Sequence, residues 1–287
     1  MKKILIYHNR YLYTYYMEET MPPPPPTKLQ IDNHHIRDDR IVFDEGPHKY
    51  YIDGDDGSNY TSVTTWVHSH FEHFDPEPII KNILKGKKWG TDPEYKYYQK
   101  TAEEIKEMWA KNGQEASSAG TLTHFNIECY YNDVPREDTS VEYEYFLKFA
   151  KDHPHLKPYR TEWCVFYEDL KLSGSIDMVF YNTETEKYCI YDWKRVKEIK
   201  MDNAYQSKYA QTECIKSLPD TNYWHYTLQL NIYSRILKEK YNIETTELCL
   251  VVLHPDNDTY EKVPVDFIHD SMDKLWAHRK EQLKENI

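Results

Sequence analysis

EWCVFYEDLKLSGSIDMVFYNTETEKYCIYDWK, residues 162–194, decides the fold. Three runs in it, Glu162 to Tyr167, Gly174 to Tyr181 and Tyr188 to Trp193, are rich in β-branched and aromatic residues. Turn-like segments, Glu168 to Ser173 and Asn182 to Lys187, separate them. Such spacing predicts an antiparallel meander. Downstream, a helix is expected over Tyr223 to Tyr241, then an apolar strand at Leu248 to Leu253 with Val263-Pro264-Val265 beside it, then an amphipathic helix over 267–285. Upstream, 140–152 reads as an aromatic helix. Ala116 to Tyr131 reads as another, with Leu122, Phe125, Ile127 and Cys129 on its buried side. Residues 77–115 read as mostly helical with a polar break at Gly86 to Pro93. Arg40 to Phe43 and Tyr50 to Ile52 read as short strands before the turn chemistry of Asp53 to Gly57, and Ser62-Val63-Thr64-Thr65 as a helix start. The sum is an α/β chain: a central mixed sheet flanked by helices, with an N-terminal helical extension.

Pro22 to Pro26 are five consecutive prolines, a stiff extended segment. Residues 1–26 therefore read as a tail, either a plain linker or a docking site for a proline-binding partner. Residues 27–287 read as one domain with a helical insert at about 75–115. The five cysteines, Cys129, Cys164, Cys189, Cys214 and Cys249, are odd in number and scattered. That pattern points to reduced thiols and an intracellular protein, and away from zinc or iron–sulfur centres. No stretch approaches the ~20 apolar residues of a membrane span. Lys plus Arg is 36 against 48 Asp plus Glu, a net charge of −12. Any contact with nucleic acid must then be local. Two stretches are locally basic: 81–100, with six Lys against Asp92 and Glu94, and 193–216, with five Lys and Arg195 against Glu198, Asp202 and Glu213.

The chemistry concentrates in Gly174-Ser175-Ile176-Asp177 and Tyr191-Asp192-Trp193-Lys194. Two carboxylates on neighbouring strands among apolar residues repel each other, and a divalent metal relieves that repulsion. Asp192 and Lys194, two apart in a strand, share a face. Lys194 can then orient a water and offset charge on a phosphate, while Trp193 points to the core. A plain Asp192–Lys194 ion pair is the other reading of that tripeptide.

This set of residues resembles the RecB-like branch of the PD-(D/E)xK nucleases. That pattern consists, in order, of a G-x-x-x-H helix, an acid, G-x-x-D on one strand, D/E-x-K on the next and Q-x-x-x-Y on a helix. Here these are Gly120 with His124, Glu162, Gly174 with Asp177, Asp192 with Lys194, and Gln229 with Tyr233. The Ser62-Val63-Thr64 helix start and the Asp-Trp-Lys tripeptide are similar to those of mitochondrial genome maintenance exonucleases and their viral and phage relatives. The resemblance runs from about Ser62 to the C-terminus. It implies a restriction-endonuclease-like core and Mg²⁺ or Mn²⁺ held by His124, Asp177, Asp192 and the carbonyl of Trp193. Glu162 is an acid that some members use, and Lys194 is the catalytic lysine. It implies that Gln229, Tyr233 and Ser62 support the site or touch DNA, and that DNA replication, repair or recombination is the setting. Read alone, His124 is either a hydrogen-bonded core histidine or a ligand, Glu128 one turn on is either its orienting partner or a surface charge, and Gln229 and Tyr233 are packing residues.

Lys85, Lys87, Lys88 and Trp89, followed by Lys96, Tyr97 and Tyr98, interleave cations and rings, as suits single-stranded DNA. A solvated loop is the other reading. Arg195, Lys197 and Lys200 are candidates to hold the scissile strand. The function expected is hydrolysis of DNA phosphodiester bonds, as an exonuclease acting on single strands with a free end. Its rivals are a metal-dependent endoribonuclease of cap-snatching type and a catalytically silent, nuclease-like subunit that binds DNA.

Overall fold

The computed structural model describes residues 4–8, 11–15, 27–44, 46–57, 59–203 and 208–285, so the proline run Pro22–Pro26 lies outside the described residues. The elements, in chain order, begin with β1 (Ile4–His8), β2 (Tyr11–Tyr15), α1 (Lys28–Asp32), β3 (Ile41–Asp44), β4 (Lys49–Ile52), β5 (Thr61–Ser62) and α2 (Val63–His68). The helices α3 (Pro76–Lys85), α4 (Lys87–Thr91), α5 (Ala102–Tyr131) and α6 (Val141–Asp152) follow. The meander β6 (Leu156–Tyr167), β7 (Leu172–Asn182) and β8 (Lys187–Lys194) comes next, then α7 (Asn222–Tyr241), β9 (Thr245–Val252), β10 (Glu261–Val265) and α8 (His269–Glu285). Two compact units result: residues 1–72 with 124–287, and residues 73–123.

The first unit is built on a mixed sheet in the order β10-β9-β8-β7-β5, with β6 also on β7. The meander is antiparallel, as expected, and β8 runs parallel to β9 through the crossover helix α7. β7 is the centre of the design. β6 pairs with it along its whole length, from Tyr167↔Leu172 to Leu156↔Asn182. Its other edge is shared: β5 takes Leu172 and Ser173, and β8 takes Met178 to Asn182. Between them, Gly174 to Asp177 has no strand neighbour on that edge among the described residues.

Strand alternation sends side chains to two cores. Ile190, Val179 and Leu250 pack with residues of α7, α2 and α8 on one face, including Leu228, Trp66 and Trp276. Tyr191, Trp193, Phe180 and Val251 pack with Phe146 and Phe149 of α6 and with Ile127 on the other. Helix ends follow local chemistry. The Ser62 hydroxyl accepts the Thr65 amide at the start of α2, and Ser140 caps α6 in the same way. Asn242 ends α7 in the left-handed region at φ 54°. The two short strands expected before Asp53 to Gly57 are present as β3 and β4, which pair antiparallel. Part of the expected tail is a hairpin, β1 with β2, and β2 meets β3. Among the described residues no helix is long and apolar enough to cross a membrane.

The second unit has a small core of its own, in which Ile80, Tyr97 and Ile105 are buried with Ile83, Leu84 and Trp109 against them. Trp109 donates its ring N–H to the Tyr97 hydroxyl at 2.8 Å. Three local expectations change in the helices. Part of the polar break after Gly86 is helical, as α4. The helix expected to start at Ala116 starts at Ala102 and runs unbroken for 30 residues. Gly113 costs about 1 kcal/mol of helix propensity, too little to end a run rich in Ala, Glu and Lys around it. Leu122, expected in the core, is 50% exposed. The buried face of that helix passes instead through Thr123, Asn126, Ile127 and Cys129, and Phe125 is only half-buried.

Candidate metal centre

The gap on the edge of β7 is where the polar residues meet. The β7–β8 ladder stops at Met178↔Tyr191, two residues short of Trp193, so an acceptor for the Trp193 amide must come from elsewhere than the paired ladder. Asp177 supplies one: the Trp193 N–H donates to its Oδ2 at 3.0 Å. Glu162 sits across from Asp177, between the pairs Thr161↔Met178 and Trp163↔Ile176. It is held at φ 41°, in the left-handed region that a strand residue with a side chain normally avoids. Its Oε2 accepts the Ser175 hydroxyl at 3.1 Å.

His124, on the last part of α5, completes the cluster. Its Nδ1 lies 3.4 Å from Glu162 and 3.5 Å from Asp177. Its Nε2 lies 2.9 Å from the Trp193 carbonyl. A neutral imidazole that donates from Nε2 to that carbonyl leaves the Nδ1 lone pair aimed at the two carboxylates. The Trp193 carbonyl thus fills the orienting role considered for Glu128. One ligand atom from each of His124, Glu162 and Asp177 lies within 4.8 Å of the others, a nitrogen and two oxygens close enough to share a cation.

Asp192 and Lys194 share the other face of β8, as alternation requires. Lys194 Nζ is 2.5 Å from Asp192 Oδ2, and the Asp192 side chain is 3% exposed. α7 braces this pair and β7 together. Gln229 reaches Asp192 Oδ1 at 3.5 Å, and the Lys194 ammonium lies 4.6 Å from the centre of the Tyr226 ring. A Cβ at Gly174 would lie 2.6 Å from the Tyr233 hydroxyl and 2.8 Å from its ring, so the glycine of G-x-x-D and the tyrosine of Q-x-x-x-Y are one packing requirement. The glycine of the G-x-x-x-H stretch is different: a Cβ at Gly120 would meet nothing within 4 Å.

Electrostatics favour a cation here. Burial opposes a charged His124, but Asp177 first and Glu162 next outweigh it and lift its pKa to about 9. Burial, with the charge of Glu162 beside it, pushes Asp177 up, although His124 and Lys194 pull the other way. Burial and then repulsion from Asp177 raise Asp192 to about 7 against the pull of Lys194. Lys194 is raised despite its burial, because Asp192 and Asp177 hold the ammonium. The carboxylates strain against one another, and two cationic side chains do not fully relieve them.

The other candidates fall into three groups. Ser62 is spent on capping α2, where its hydroxyl also meets that of Thr65 at 2.7 Å. Arg195 is held by Glu142 at 2.6 Å, Lys197 by Asp256 at 3.0 Å, and Lys200 lies 3.4 Å from Glu198. In the second unit, Lys85, Lys87 and Lys88 are exposed, whereas Trp89 is half-buried with its ring N–H on the Lys100 carbonyl at 2.9 Å. Tyr226 is the residue that the motifs do not reveal, although it lies three before Gln229 and seven before Tyr233 on one helical stripe. No protein-family model matches the chain, and no curated protein sequence matches it.

Proposed function

We propose that the chain is a metal-dependent nuclease with a restriction-endonuclease-like core of the PD-(D/E)xK type, hydrolysing phosphodiester bonds of DNA. The observation that carries this reading is the gap in β7, where His124, Glu162 and Asp177 converge beside the Asp192–Lys194 pair. A nitrogen and several hard carboxylate oxygens, among which burial and charge crowding raise Asp177 and Asp192, form a donor set that suits Mg²⁺ or Mn²⁺. His124 through Nδ1, Glu162 and Asp177 are the residues whose ligand atoms lie close enough to hold it, with Asp192 beside them; the Trp193 carbonyl, expected as a further ligand, is instead taken up by the His124 Nε2–H. Bound there, the ion supplies Lewis acidity at a phosphoryl oxygen and lowers the pKa of a water.

The protein's own groups do the rest. Asp177 fixes the strand end through the Trp193 amide, and the Trp193 carbonyl fixes the His124 ring. Lys194, protonated and backed by Asp192, offsets charge on the phosphate and orients the attacking water. The side chains of His124 and Glu162 are 29% and 23% exposed against 3% for Asp192, so substrate reaches the cluster from the His124–Glu162 side. A single strand with a free end is the proposed substrate, with the exposed Lys85, Lys87 and Lys88 as phosphate contacts.

Incubation of linear and covalently closed single-stranded DNA, duplex DNA and RNA with Mg²⁺ or Mn²⁺ tests the reading. Metal-dependent loss of linear strands with circles spared is the expected result. Cleavage of circles as fast as of linear DNA would make it an endonuclease, and cleavage of RNA alone a ribonuclease. No cleavage with any divalent ion, alongside intact DNA binding, would leave only a silent subunit.

A further inference from the structure

Among the groups around the Lys194 ammonium, two differ in kind. One is Asp192, at 2.5 Å; the other is the face of Tyr226, 4.6 Å from Nζ to the ring centre. From this geometry we infer that Tyr226 is a positioning residue: its π face fixes the Lys194 ammonium at the reacting phosphate. An ammonium bound only to a carboxylate two residues away in the same strand is free to swing with its four-carbon stem. A ring face against the same ammonium restricts that freedom without adding a negative charge that would tie the lysine more tightly to the protein than to substrate.

The placement follows from the helix. Tyr226, Gln229 and Tyr233 recur at three and four residues, so they form one stripe on α7. Each meets one part of the strand machinery: Tyr226 meets Lys194, Gln229 meets Asp192, and Tyr233 fills the space left by Gly174. The stripe therefore sets both strands in register, with Tyr226 as its outermost member, only partly buried where Gln229 and Tyr233 are buried. The hydroxyl is not what the contact uses, because it is the ring face that the ammonium meets.

The inference rests on the nuclease reading for its rate measurement alone, so two measurements are paired. Phe, 4-fluoro-Phe, 3,5-difluoro-Phe and 3,4,5-trifluoro-Phe are placed at position 226. These keep the ring's shape while draining its negative face. The first measurement is the extent of Lys194 acetylation by limiting acetic anhydride, read by peptide mass spectrometry against the exposed Lys85 as internal standard. The second is the single-turnover cleavage rate at saturating single-stranded DNA with Mn²⁺. Tyr226→Phe, which keeps an unfluorinated ring face, is the reference against which the fluorinated series is read. Across the fluorinated series Lys194 acetylation is expected to rise in steps and the rate to fall in steps. The span expected is about 3- to 30-fold, the size of a partly to fully desolvated cation–π contact. DNA affinity and Mn²⁺ affinity are expected to stay constant. A series flat in acetylation overturns the inference, because a ring that merely fills space is indifferent to fluorine. Stepped acetylation with no cleavage by the native protein would keep Tyr226 as the clamp of Lys194 and remove the nuclease reading instead.

Discussion

At the scale of single residues, the site is a balance of charges that substitutions can unbalance in known directions. Asp177 has a raised pKa, so its ionised form weakens the ion-free fold above the ordinary carboxylate range. Asp177→Asn keeps an acceptor for the Trp193 amide and removes that charge. Its ion-free Tm is expected to rise, by roughly 2–4 °C for each kcal/mol released. Mn²⁺ is expected to raise the native Tm but not that of the variant, as differential scanning calorimetry would show; a variant that melts lower without ion contradicts this. His124 runs the other way. Its folded pKa of about 9 stands above the ordinary 6.5, so its proton stabilises the ion-free protein fully below pH 6.5 and that contribution is lost as pH rises through 9. The same proton must leave before the nitrogen can bind a metal. Calorimetric Mn²⁺ affinity should therefore climb between pH 6.5 and 9, and climb less steeply in His124→Ala; parallel curves would return His124 to core packing. The two motif glycines separate cleanly. Gly174→Ala must push Tyr233 aside and should lose stability, whereas Gly120→Ala meets no atom within 4 Å and should gain up to about 1 kcal/mol of helix propensity. Asp177, Asp192 and Lys194 are legible in the sequence because strand alternation and motif order both point to them. Tyr226 is not, because an aromatic on a helix reads as packing until its partner is known.

At the scale of elements, the meander and both flanking helices are legible, since period-two runs between turn residues leave few other readings. What the sequence does not show is that β5 and β8 share one edge of β7. That arrangement depends on a two-residue parallel pairing at Thr61 and Ser62 with no periodicity to betray it. The full length of α5 is hidden as well: the stretches before and after residue 116 read as separate helices, and the structure joins them from Ala102 to Tyr131. The segment after α1 is fastened to β6 by a buried ion pair. Arg160 and Asp38, with side chains 0% and 1% exposed, meet at 2.6 Å. Trp163 donates to the same carboxylate at 2.8 Å, and Arg160 also reaches the Asn33 carbonyl. Removing one member leaves a buried charge, which costs about 3–5 kcal/mol. Asp38→Ala is thus expected to lower Tm by on the order of 10 °C, and a drop of only a degree or two would show that the pair is dispensable.

At the scale of the whole molecule, the charge is unevenly divided. Residues 73–123 carry eight Lys against eight Asp and Glu, so the net −12 belongs to the rest of the chain. That unit is neutral overall, and within it residues 81–100 hold six Lys against Asp92 and Glu94, so the proposed phosphate contacts belong to that stretch. A Lys85→Ala, Lys87→Ala, Lys88→Ala triple variant is expected to bind single strands more weakly without change in Mn²⁺ affinity. Its log K against log salt slope should be shallower by about 2, at ~0.7 for each phosphate no longer neutralised; an unchanged slope would place the strand elsewhere. The local basic stretch is legible from composition. The division into two units is not, because its boundary at Thr123 and His124 falls inside a continuous helix. The central claim is that His124, Glu162, Asp177, Asp192 and Lys194 form a metal-dependent hydrolytic centre. Its most direct test is cleavage of end-labelled linear single-stranded DNA by the native protein and by Asp177→Asn, each with Mn²⁺ and with excess chelator. Rapid cleavage by the native protein with Mn²⁺ is expected, none with chelator, and a reduction of at least about a hundredfold in the variant, the scale on which removing one transition-state charge partner acts. Cleavage by the variant at the native rate, or by the native protein in chelator, would contradict it.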